Sequence, residues 1–409
     1  MLTEISNKFI QLTETVLHKV YKTPQSKLGQ PATKLLSLLF NRVAHANALW
    51  EQNKSTIVYN SITINKPDMS SYPTDLQQSI ENTIHWYNTI MFKVGEREVI
   101  LVIGNTTKPT KYDVDRIVKR VYMWLNVASF FADVKCSQTL TIYLSMVNDI
   151  KQLPTTNLQH INREHVNTAY TYSCTKNNEI HIFRREEWFK VLIHETFHGF
   201  GLDFSEFNFT VTNNMILKIF HVIADVRIFE SYCEIWAELI NNIFVVFFST
   251  KWNENQAKWL QTCVNKLHVL IFNEQVFSMF QCAKILTHFN IEYNDLLYAN
   301  NQTKNPNKNY RDKTHVLSYY IIKTILLYHI NDFIEECIHM NGYSIQFDKN
   351  ANRINENMHK YCQLVNKLHK NPPFITELNN MSRFMSHAKY KHLANYVKQS
   401  LRMALYEMK

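Results

Sequence analysis

His194, Glu195 and His198 stand in the order His-Glu-Thr-Phe-His. An α-helix turns once per about 3.6 residues, so the two histidines lie one above the other on a single face. Two imidazoles so placed can bind one Zn²⁺. Glu195 lies beside them, within reach of a water on the metal, where its carboxylate can take a proton and pass it to a leaving amine. The surrounding segment, WFKVLIHETFHGF, is apolar on both sides. Three polar groups are therefore set in or beside a core, where they would be costly without partners, and a metal resolves that cost. Gly199 and Gly201, two of only six glycines, let the helix end and the backbone turn beside the site.

A catalytic zinc takes three protein ligands and leaves one position for water. Three residues are candidates for the third ligand. Glu234 lies in Glu230-Ser-Tyr-Cys-Glu-Ile-Trp-Ala-Glu238, where Glu230, Glu234 and Glu238 share one helical face. Ile235, Trp236, Leu239 and Ile240 point to a buried helix, in which acids need a metal or a cation. Glu234 is the expected ligand. Glu238, one turn on, is expected to accept a hydrogen bond from a ligating histidine and set its tautomer. Asp203, shortly after His198, is the second candidate, with capping or bracing the turn as its expected role. His221 is the third, and no pattern supports it.

These residues need elements to position them. Residues 1–55 read as amphipathic helices broken at Pro24 and Pro31, and residues 56–65 alternate like a strand. Asp75 to Val94 is predicted helical, Arg97 to Ile103 a buried strand, Asp113 to Ala132 a helix and Leu140 to Val147 a strand. Thr168 to Ser173 and Glu179 to Phe183 are predicted as a hairpin, followed by a helix from Arg185 to Phe200. Beyond residue 205 the pattern is helical, interrupted by a polar loop at residues 300–311. The expected fold is α+β. It comprises a helical extension (1–70), a strand-containing lobe ending in the metal helix (71–205) and a helical lobe carrying the third ligand (206–409).

The chain has 409 residues, 45% hydrophobic and 19% charged, a globular composition. A net charge of +9 admits a nucleic-acid partner. However, there is no run of five basic residues, no Gly-rich phosphate loop and no finger or RNA-binding motif, so scattered solubilising lysines are the preferred reading. Seven cysteines, an odd number without any CxxC pair, predict reduced thiols in a cytosolic-type compartment. The N-terminus does not read as a signal peptide, and no apolar stretch reads as a transmembrane span.

The HExxH motif with a downstream Glu234-Ile-Trp-Ala237-Glu238 resembles the zincins, specifically the gluzincins. The stretch from Asn167 to Ser205 is similar to zincin-like metallopeptidases encoded by giant DNA viruses. The resemblance implies a two-lobed zincin fold, strand-containing above and mostly helical below, with the metal helix at the floor of the cleft. It implies one catalytic zinc on His194, His198 and Glu234, Glu195 as general base, and a protein or peptide substrate of viral or host origin, with a viral factory or virion as its setting. A zincin also needs a hydrogen-bond donor for the oxyanion. His315, Tyr319 and Tyr320, which open a late apolar helix, are the candidates. A non-catalytic virion or scaffold protein retaining the fold, and a basic DNA-associated protein, are the alternative functions.

Overall fold

The computed structural model describes residues 2–25, 27–60, 66–297 and 309–409 of the chain. Residues 97–105, REVILVIGN, are apolar on both faces, as expected of a strand covered on both sides. They form β3 (Arg97–Asn105), at the centre of a six-stranded sheet. β2 (Trp86–Val94) pairs antiparallel with β3 and with the short β1 (Val58–Asn60). β4 (Thr139–Met146) runs parallel to β3, and β6 (Asn177–Ile182) parallel to β4. β5 (Ala169–Thr171) is the last strand, antiparallel to β6, so its outer side is an edge. The rest is mainly helical, making the chain α+β.

One helix expected from the sequence is corrected. Only Thr74–Thr83 of the segment 75–94 is helical, and Trp86–Val94 is the strand β2. Its run of aromatic and β-branched residues fits a pleated surface, and pairing on both sides decides the outcome. Gly95, at φ +58°, turns the chain from β2 into β3. Residues 61–65 and 300–308, parts of the predicted strand and polar loop, lie outside the described residues.

The helix Lys111–Phe131 crosses from β3 to β4, its first turn capped by Thr110, which accepts from the Asp113 N–H at 3.1 Å. It stacks Trp124 on Phe197 of the metal helix, with ring centroids 6.3 Å apart. The metal helix, Trp188–Gly199, follows β6 and is buried along its whole length. Glu187 precedes it in the left-handed region at φ +59°. That conformation is held by its ion pair with Lys151 and by N–H groups of Met403 and Ala404. These two residues belong to a C-terminal stretch, Leu401–Met408, that is buried throughout. Gly201 closes the turn after the metal helix at φ +62°, where a Cβ would come within 3.1 Å of Cys136 Sγ.

The expectation of seven reduced thiols is also corrected. Cys136 and Cys174 form a disulfide, while the other five cysteines are free and buried. The two partners are 38 residues apart in the chain, and no local spacing announces a pair that folding brings together. Among the described residues, no helix is long and apolar enough to cross a membrane.

Candidate metal centre

The apolar sequence around HETFH drives its helix into the core, and the sheet and neighbouring helices cover it. His194, Glu195 and His198 are left 6%, 8% and 8% exposed. The helix Phe229–Ser249, apolar on nearly every side, packs against the metal helix and brings Glu230 and Glu234 to it on successive turns.

Three ligand-type atoms converge. His194 Nε2 is 3.0 Å from Glu230 Oε2 and 3.2 Å from His198 Nε2, and His198 Nε2 is 3.5 Å from the same carboxylate oxygen. Tetrahedral ligands at zinc–nitrogen and zinc–oxygen bond lengths lie about 3.3 Å from one another, so this donor set fits such an ion. Each histidine is also held from behind. Asp203 Oδ2 is 2.6 Å from His198 Nδ1, and Glu234 Oε2 is 3.0 Å from His194 Nδ1. An Nδ1–H donated to a carboxylate leaves Nε2 free to ligate.

The third position differs from the sequence expectation. Glu230, not Glu234, joins the two histidines, and the i, i+4 pair is used one turn earlier along the helix. Glu234 instead takes the backing role expected of Glu238, and its other oxygen pairs with Lys190 Nζ. Glu238 pairs with Lys323 and touches neither histidine. Asp203 braces His198, as a residue of the turn after the helix can. His221 lies outside the cluster. Lys190 was not singled out from the sequence. Its place four residues before His194, on the same face, is the signal that could have found it.

No family model, curated protein or solved structure matches the chain.

Of the three late residues, only Tyr319 reaches the centre. It sits in a π-helical turn, Leu317–Ile322, with its ring 6.1 Å from that of His194, and it lines the small cavity beside His194 and Glu195. Tyr320 donates to Leu401 O at 2.5 Å, and His315 Nδ1 lies 2.9 Å from Asp225 O, so neither joins the site.

Burial and close charged partners compete in the electrostatics of the site. Burial pushes the Glu195 carboxyl up, and among the described residues that carboxylate has no hydrogen-bond partner. Burial pulls His194 down, but hydrogen bonds to Glu230 and Glu234 outweigh it and hold the imidazole raised, at about 8. Glu230, despite burial, is held well below the carboxylate range by His198 and His194. Cys233 Sγ lies 3.4 Å from Asp203 Oδ2, and burial pushes its thiol up. A small cavity, about 40 Å³, adjoins the centre on the His194 side, bounded by His194, Glu195, Glu234, Lys190, Tyr319, Met403 and the stretch from Val166 to Ala169, while His198 and Glu230 do not line it.

Proposed function

We propose that the chain is a zinc-dependent peptide-bond hydrolase of the gluzincin type, with His194, His198 and Glu230 holding the metal. The observation that carries this reading is the convergence of three ligand atoms at 3.0–3.5 Å, with a carboxylate behind each histidine. A zinc ion so held lowers the pKa of a water and polarises a carbonyl. Glu195 has no competing hydrogen bond among the described residues and lines the small cavity beside His194, so its role is to accept the proton of the attacking water and deliver it to the leaving amine. Tyr319 is the donor for negative charge developing on the scissile carbonyl oxygen. The free edge of β5 begins at Ala169, on the cavity wall, and suits pairing with an extended peptide.

A second reading is a protein that keeps the metal for structure alone. The cavity volume favours it, because 40 Å³ holds little more than one water. On the first reading, the wall from Val166 to Ala169 moves aside when substrate arrives. Metal analysis together with cleavage of a peptide library separates the two. The hydrolase reading expects about one zinc per chain and cleavage that falls by about 10²–10⁴-fold in Glu195→Gln while the metal stays. Full zinc occupancy with no cleavage by the wild type leaves the structural reading.

A further inference from the structure

A second cavity, of about 590 Å³, lies at the start of the metal helix and shares no lining residue with the small cavity beside His194. Asn105 and Met146, the last residues of the neighbouring parallel strands β3 and β4, form part of its wall. Open sheets place ligands beyond the carboxyl ends of parallel strands, and this volume is that of a small-molecule site.

The wall mixes apolar side chains, cations and four carboxylates, and each carboxylate has its own partner: Glu4 pairs with Lys8, Asp113 with Arg116 and Glu407 with Arg402, while Glu186 accepts the Lys151 N–H. Phe9, Trp188 and Met408 are buried and apolar. Lys108 and Arg185 are exposed and, among the described residues, neither has a carboxylate within ion-pair distance. Among the described residues, the Arg185 guanidinium donates only to Met146 O, at 3.5 Å, and the Lys108 ammonium lies 5.6 Å over the Trp86 ring. Asn105 is 7% exposed, and its Nδ2 is buried without a hydrogen-bond partner. A buried amide donor left unmet is costly, and a ligand oxygen would meet it. Arg120 also lines the wall, its guanidinium donating to Met408 O and Lys409 O at 3.4 and 2.6 Å.

We propose that this cavity binds a small amphipathic anion. Lys108 and Arg185 hold its carboxylate or phosphate head, Asn105 Nδ2 donates to one of its oxygens, and its apolar body lies along Phe9 and Trp188. The inference does not depend on the metal reading.

Calorimetric titration of the full chain with octanoate, octyl phosphate and octanol tests it. The expected result is one saturable site for an anion, with octanol at least about tenfold weaker, the effect of losing a charged hydrogen bond. The tighter of the two anions names the head group. The double variant Lys108→Gln/Arg185→Gln, both positions being exposed, weakens the anion by a similar factor and leaves octanol unchanged. His194→Ala binds the anion as the wild type does, which separates this site from the metal centre. Equal binding of octanol and the anions, no saturable binding, or undiminished anion binding by the double variant overturns the proposal.

Discussion

Glu234 stands behind His194, with Oε2 3.0 Å from Nδ1, while Nε2 of the same ring lies 3.0 Å from Glu230 Oε2. One imidazole is thus held between two carboxylates from successive turns of one helix. The two acids are not equivalent, because one faces the point where three donor atoms converge and the other faces away from it. Glu230→Gln is expected to abolish stoichiometric zinc. Glu234→Gln, which can still accept from Nδ1–H, is expected to keep zinc with affinity reduced about 10–100-fold. Competition with a chromogenic chelator reads both. The reverse order would restore Glu234 as the ligand.

Lys190 neutralises Glu234 in a place where both are almost fully buried. Removing one partner leaves an uncompensated charge in a low-dielectric interior. Lys190→Met is therefore expected to cost about 3–5 kcal/mol of stability in urea unfolding. Adding Glu234→Gln to that variant recovers part of the loss. A loss that is purely additive would show the two groups to be uncoupled.

Asp312 accepts N–H groups of Thr314 and Leu317 at 2.8 and 3.3 Å and so shapes the turn that leads to Tyr319. Burial pushes its carboxyl up to about 7, against those hydrogen bonds. The folded state therefore keeps this proton to a higher pH than the unfolded chain, whose aspartate titrates near its ordinary value of about 4. Between those two values the folded protein binds more protons, so stability falls as pH rises, and above about 7 the effect is complete. Unfolding measured at pH 5 and pH 8 is expected to show wild type losing ground to Asp312→Asn at the higher pH. A constant difference would contradict the shift.

The disulfide joins residues 38 apart in the chain. Closing a loop of that length restricts the unfolded chain by about 4 kcal/mol on the chain-entropy account. Thiol titration of the denatured, unreduced protein is expected to find five free cysteines, and Cys136→Ser/Cys174→Ser to unfold at lower denaturant. Seven reactive thiols would show the bond unformed.

Much of the supporting frame was legible from local pattern. The apolar run of β3, the alternation in β4 and the turn between β5 and β6 are local signals that long-range pairing reinforces. Residues 86–94 were not legible as a strand. Their apolar spacing suits either period, and only the partners on both sides, β1 and β3, select the extended form. The Cys136–Cys174 pair was hidden for a similar reason, since contact between them depends on how β4, β5 and β6 are laid side by side.

The sequence by itself determined that His194 and His198 share a helical face with Glu195 beside them, because helical periodicity makes that a local property. It also determined that Glu230, Glu234 and Glu238 share a face of their own. Which of those three acids meets the histidines was left to the packing of the two helices. A shift of one turn, about 5.4 Å along the axis, exchanges a ligand for the group behind it. Lys190 and Lys323, each paired with one remaining acid, lock that choice, because every buried carboxylate requires its own partner.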